Sequence, residues 1–166
     1  LELSRISRQE LRRVRVDLSQ IAAELIDELA RSEPGCRCDF VLAQGCVATG
    51  DPQLLRIVLQ NLLENAWKYS AKVAFPRIEF GSEMGRCETT YFVRDNGVGF
   101  DMKYADRLFA PFQRLHRPEE FEGTGIGLAT VARVVHRHGG RIWAESAPGK
   151  GATFHFTLGQ ASGKSP

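Results

Sequence analysis

Asn61, Asn65 and Lys68 recur at i, i+4 and i+7, so on a helix they share one stripe beside the apolar face of Leu55, Val58, Leu59, Leu62 and Ala66. Asparagine is a poor residue for the middle of a helix because its amide competes for local backbone hydrogen bonds. Two of them one turn apart therefore point to something outside the helix that uses them. An amide carbonyl is a hard oxygen ligand suited to magnesium, and an ammonium group one turn further on could meet a phosphate. A solvated polar face would show the same spacing.

Two glycine-bearing stretches follow. Asp95 ends an apolar run, and Gly97 and Gly99 remove side chains where a backbone and a ligand would have to approach closely. A carboxylate there could accept a hydrogen bond from an exocyclic amine such as that of adenine. Asn96-Gly97 is also a hairpin signal, but residues 98–104 lack strand alternation. Further on, Gly123-Thr124-Gly125-Ile126-Gly127-Leu128 leads into an amphipathic stretch, and exposed N–H groups at a helix N-terminus make a phosphate site. A hinge for the preceding loop is the plainer reading of those glycines. Residues 159–165 read GQASGKS, one residue short of a phosphate loop and with no helix after them.

These residues need elements to hold them. Asp51-Pro52 is a strong helix start, a capping carboxylate followed by proline in the first turn, and predicts a helix to about Tyr69. Residues 3–16 read as a short amphipathic helix whose Arg12, Arg13 and Arg15 form a solvated face. Ser19 is expected to cap a second helix running to Ala30, ended by Pro34-Gly35. Short strands are predicted over residues 36–42, 47–49, 78–80 and 88–93, the last two antiparallel around Gly81 and Gly85. Residues 100–122 lose periodicity, contain Pro111 and Pro118, and form a candidate mobile lid. A helix over residues 126–138 stops at Gly139-Gly140, with His136 and His138 at the end where an imidazolium suits the helix dipole. Strands over residues 141–145 and 152–158 close the pattern.

Composition narrows the class. The 166 residues are 43% hydrophobic and 25% charged, as expected of a globular domain with one main core. A net charge of +2, evenly spread, argues for neither nucleic acid nor a membrane surface. No apolar run reaches the roughly 20 residues of a membrane-spanning helix, and a cytoplasmic location is expected. Cys36, Cys38, Cys46 and Cys87 lack zinc-site spacing and read as free thiols of a reducing compartment.

Four motifs stand in a fixed order: NLLENAWKYS (61–70), DNGVGF (95–100), FAPFQR (109–114) and GTGIGLA (123–129), followed by HRHGGRIWAESAPGKGATFHFTL. From residue 18 to residue 158 the chain resembles the catalytic ATP-binding domain of sensor histidine kinases, in the superfamily shared with gyrase, the heat-shock chaperone ATPase and mismatch-repair ATPases. Phytochrome-like and PAS-linked kinases resemble it most. The resemblance implies that Asn65 ligates magnesium with support from Asn61, and that Lys68 and Tyr69 lie near the phosphates and base. It makes Asp95 the adenine anchor, Gly97 and Gly99 the shapers of its pocket, and residues Gly123, Thr124, Gly125, Gly127 and Leu128 the part that closes over the phosphates. Phe109 and Phe112 match a lid phenylalanine box. Arg114 and Arg117 could reach phosphate oxygens or stay solvated; Thr153 would stand near the adenine-binding aspartate or be a plain strand threonine. Glu64 could polarise an attacking imidazole or be an ordinary exposed glutamate. Where gyrase-like relatives carry a water-activating glutamate this chain has Asn61, so efficient ATP hydrolysis is not expected.

The expected architecture is a two-layer α+β sandwich, with a mixed, mostly antiparallel sheet of about five strands under three helices. ATP would sit between the helices and the mobile lid. Residues 1–17 are expected to end a dimerisation helix and linker, 18–159 to form the catalytic domain, and 160–166 a disordered tail. The implied function is transfer of the ATP γ-phosphoryl group to a histidine on a dimerisation domain outside this chain, since none of its four histidines stands in such a context, and onward to a response regulator. The parent is expected to be a homodimer and this piece a monomer. A non-catalytic nucleotide sensor without phosphotransfer, or an anti-sigma-factor-like serine kinase, would use the same fold.

Overall fold

The computed structural model describes residues 2–114 and 125–159. Its elements run α1 (Glu2–Arg8), β1 (Val14–Asp17), α2 (Leu18–Ser32), β2 (Asp39–Leu42), β3 (Val47–Gly50) and α3 (Pro52–Ser70). After these come β4 (Arg77–Met84), β5 (Thr89–Asp95), a 3₁₀ helix (Met102–Arg107), α4 (Gly127–Arg137), β6 (Ile142–Ser146) and β7 (Ala152–Thr157). The main sheet has the order β2-β4-β5-β7-β6, with β2 parallel to β4 and every other pair antiparallel.

Strand alternation sorts the sheet residues into two faces. Ile78, Phe80, Val93, Phe154 and Phe156 are buried in one core with Leu59 and Leu62 of α3 and Val131 and Val135 of α4. Leu18, Ala22 and Leu25 of α2 join the same core. This is the α+β sandwich expected, a mixed five-stranded sheet packed against helices.

Helix α3 forms as its first residues dictate. The Asp51 carboxylate accepts the N–H groups of Gln53 and Leu54 at 3.0 and 3.2 Å, and its second oxygen accepts the Arg12 N–H at 3.1 Å. The chain's entry into the domain is thereby tied to the start of the helix that carries the polar stripe.

Four expectations need correction. The helix predicted over residues 3–16 stops at Arg8, and Val14–Asp17 pairs antiparallel with β3 in a separate two-stranded ribbon. A segment of that length has too little helical stability alone, and a partner strand far along the chain decides its conformation. The cap of α2 is Asp17, whose carboxylate accepts the Gln20 N–H. Ser19 lies inside the helix, buried, its hydroxyl donating to the Ala43 carbonyl and accepting the Cys46 N–H. Gly81 is inside β4, paired with Phe92, rather than at a turn, and it must be glycine because a Cβ there would lie 2.8 Å from the Phe92 ring. His138 is fully buried and accepts the Asp51 N–H, which a charged ring could not do. The cysteines are free thiols, as expected. Among the described residues no helix is long and apolar enough to cross a membrane.

Candidate functional site

Helix α3, the end of β5, the start of β7 and the first turn of α4 surround a cavity of about 730 Å³. From α3 it takes Asn61, Glu64, Asn65, Lys68 and Tyr69, from the end of β5 Asp95, and from the chain after it Gly99. Arg114, Gly125, Gly127 and Leu128 stand on the other side. The apolar part of the wall includes Phe100, Leu108, Ile126 and Phe154. A pocket that is largely apolar with a few convergent polar groups is the usual form of a small-molecule site.

Asp95 is the buried acid of this wall, only 6% exposed. Its Oδ1 accepts the Gly97 N–H at 2.8 Å, and the Ala152 N–H also donates to the carboxyl group. Burial outweighs both bonds and pushes the carboxyl up to about 6. At neutral pH the group is therefore an ionised acceptor kept in an apolar place, ready for a donor brought by a ligand. Gly97 serves this geometry without lining the cavity: a Cβ there would lie 2.2 Å from the Tyr69 carbonyl, which accepts the Val98 N–H at 3.0 Å. Gly99 has φ +63°, and a Cβ would lie 2.2 Å from the Ala147 carbonyl.

The two asparagines of α3 differ. Asn61 donates its amide N–H to the Ile57 carbonyl at 2.9 Å, and its Oδ1 faces Gly127, where a Cβ would come within 2.9 Å. That contact brings α3 and the start of α4 together. Asn65, half-buried and one turn further along α3, has no hydrogen bond from its amide to another described residue. Glu64 is exposed and its carboxylate accepts a hydrogen bond from Gln60, at 3.1 Å. Lys68 has its pKa lowered, first by burial and then by the Arg114 guanidinium, while Glu64 opposes the shift. Its ammonium lies 4.6 Å from the Tyr69 ring centroid.

The segment before α4 begins and ends at one place. Phe112, at φ +63°, donates its N–H to the Gly125 carbonyl at 2.9 Å, so the chain leaves and returns through a narrow neck. Phe109 packs edge-on against Phe154, whereas Phe112 is 73% exposed. Gly123, Thr124 and Arg117, the rest of the expected lid between them and the expected tail lie outside the described residues.

Thr153 is not brought to this cavity. In the antiparallel register Asp95 faces Ala152, and Thr153 faces Arg94, whose Nε donates to the threonine hydroxyl at 3.2 Å on the other side of the sheet. The alternation of buried Phe154 and Phe156 carried the signal, because it puts residue 153 outside. Gln60, Phe100 and Ala152 belong to the wall and were not singled out from the sequence. Gln60 stands four residues before Glu64, a spacing that could have flagged it; Ala152 could be found only from the strand register.

A family profile described as histidine kinase-, DNA gyrase B- and HSP90-like ATPase matches residues 50–162, more than half of the chain. The chain belongs to this ATPase family. Cyanobacterial phytochrome A of Nostoc sp. is 46% identical over 112 residues, covering 68% of this chain and 14% of that protein. Cyanobacterial phytochrome B of the same organism is 38% identical over 162 residues, 95% of this chain and 21% of that protein. The ATPase domain thus spans a small part of the curated relatives it matches. The mycobacterial sensor histidine kinase MprB superposes with a TM-score of 0.73 over 89% of this chain and 97% of that one, at 22% identity, a likeness of fold.

The donors present fit a magnesium ion carried in by phosphates. Asn65 offers one amide oxygen with no competing partner, and no group of three His, Cys, Asp or Glu side chains able to hold a metal occurs among the described residues. Magnesium is commonly held by one or two protein oxygens, with phosphates and water completing the octahedron.

Proposed function

We propose that this ATPase-family domain is the catalytic ATP-binding part of a two-component sensor histidine kinase, passing the γ-phosphoryl group to a histidine on a separate dimerisation domain. The observation that supports the reading most is the shared cavity of Asp95 and Asn65, which brings a buried acid for the base and an amide oxygen for a metal into one space. The adenine amine donates to the Asp95 carboxylate. The triphosphate runs toward Lys68, Arg114 and the first N–H groups of α4, at the positive end of the helix dipole. Asn65 would hold a magnesium ion brought in with the phosphates, and that ion would supply charge neutralisation at their oxygens.

Phosphoryl transfer asks for positioning and charge neutralisation more than covalent help. A neutral imidazole nitrogen of the partner domain attacks the γ-phosphorus in line. The bond to the β–γ bridging oxygen breaks and ADP leaves. The proton lost by the imidazole goes to Glu64, whose carboxylate Gln60 holds at the rim. The phosphoryl group then passes to an aspartate of a response regulator. The parent works as a homodimer, and four free thiols suit the reducing cytoplasm.

The test supplies γ-labelled ATP, magnesium and a separately produced dimerisation domain. Label on that domain's histidine is the expected result. Nucleotide binding without transfer would leave a sensor, and label on a partner serine would indicate a serine kinase. Asn65→Ala should abolish metal-dependent transfer while the fold persists by circular dichroism.

A further inference from the structure

Ser146 ends β6, at the edge of the sheet and behind the wall that holds Asp95. Its hydroxyl accepts the Phe100 N–H at 2.9 Å and donates to the Gly151 carbonyl at 2.7 Å. The hydroxyl therefore bridges two stretches. One runs from Asp95 to Phe100, with Phe100 in the cavity wall; the other ends in the Gly151–Ala152 peptide, whose N–H holds the Asp95 carboxyl group.

The two stretches are laid against each other with no room to spare. The Gly149 N–H donates to the Val98 carbonyl at 2.7 Å. A Cβ on Gly151 would lie 2.0 Å from the Asp95 carbonyl, and one on Gly99 would lie 3.0 Å from Ser146 Oγ. Close backbone approach sets the spacing, and a serine hydroxyl, with one donor and two acceptor sites, locks the register of both strands of the ledge at once.

We propose that Ser146 is a positioning residue for the nucleotide base: it fixes the Asp95–Phe100 ledge on which the purine lies, without touching the ligand. The proposal rests on the assignment of Asp95 as acceptor of the base amine. Without the hydroxyl, the Phe100 N–H and the Gly151 carbonyl lose a shared partner, and the carboxylate and the apolar floor are no longer held in one fixed relation.

The experiment compares ATP with purine riboside triphosphate, which carries the same phosphates and lacks the exocyclic amine, by calorimetry on the whole domain. Wild type is expected to favour ATP. Ser146→Ala should weaken ATP about tenfold, the order expected for disturbed hydrogen bonds to a charged group, and weaken the amine-free nucleotide little, so that the preference falls. Ser146→Thr, which restores the hydroxyl, should restore the preference. A preference unchanged in Ser146→Ala, whether both affinities fall together or neither does, overturns the proposal. Should the alanine variant fail to fold, Ser146→Cys keeps the size, hydrogen-bonds weakly and carries the same comparison. Equal affinity of wild type for the two nucleotides would overturn the Asp95 assignment as well, and is told apart by needing no variant.

Discussion

His138 and Asp51 are joined across 87 residues by a hydrogen bond in which the Asp51 N–H donates to Nε2 at 3.0 Å. The ring's Nδ1 lies 2.8 Å from the Val134 carbonyl, so the proton sits on Nδ1 and the imidazole is neutral. Burial pulls its pKa below the ordinary 6.5; the Arg13 and Arg137 charges add to this, while the Val134 carbonyl and Asp51 oppose it. A folded value below the unfolded one supplies stability that is present above the unfolded pKa and lost as pH falls through the folded pKa. The melting-temperature gap between wild type and His138→Gln should thus be largest at pH 7.5 and shrink under acid conditions. A gap independent of pH would mean the ring is not held neutral.

Asp95 has the opposite sign. Its folded value of about 6 stands above the ordinary 3.8, so stability of the ligand-free domain is lost as pH rises through about 6. That rise corresponds to at most about 3 kcal/mol. Asp95→Asn should raise the melting temperature at pH 7.5 while weakening ATP at least about tenfold, the loss expected for a charge-assisted bond. In wild type, ATP affinity should decline below pH 6 as the acceptor is protonated. Calorimetry that finds the variant's affinity unchanged would remove Asp95 from the base site.

Gly127 is required by a neighbour as much as by any phosphate, since its Cβ position falls 2.9 Å from Asn61 Oδ1. Gly127→Ala should cost on the order of 1–2 kcal/mol through overpacking. Adding Asn61→Ala should recover part of that loss, and a double-mutant cycle in urea would read the coupling. Additive effects would show that the side chain yields freely.

Phe112 holds a left-handed backbone that costs a residue with a side chain about 1 kcal/mol, and its ring is mostly exposed. Phe112→Gly should raise the melting temperature by about 2–4 °C. A decrease would indicate that the exposed ring is packed in solution.

Local chemistry made much of this domain legible. Asp51-Pro52 fixed the start of α3, and the spacing of Asn61, Asn65 and Lys68 placed them on one cavity wall together with Asp95. What escaped depended on partners distant in sequence. Val14–Asp17 became a strand because β3 pairs with it, and His138 went inside because the Asp51 N–H needed an acceptor. Thr153 was placed by resemblance alone, and the register of β7 on β5 sets it opposite Arg94, on the face away from the cavity, as the plain strand threonine would be. Gly97 and Gly127 occupy positions fixed by the Tyr69 carbonyl and the Asn61 amide, reasons that only packing reveals.

Helix α4 touches the cavity with its first turn and grips the incoming chain with its last two, where Arg137 donates to the Ile6 and Gln9 carbonyls and Arg133 to the Ser7 hydroxyl. A helix held at both ends can serve as a lever: if a ligand in the cavity favoured one tilt of its near end, then by thermodynamic reciprocity the grip on α1 would change that ligand's affinity by the same free energy.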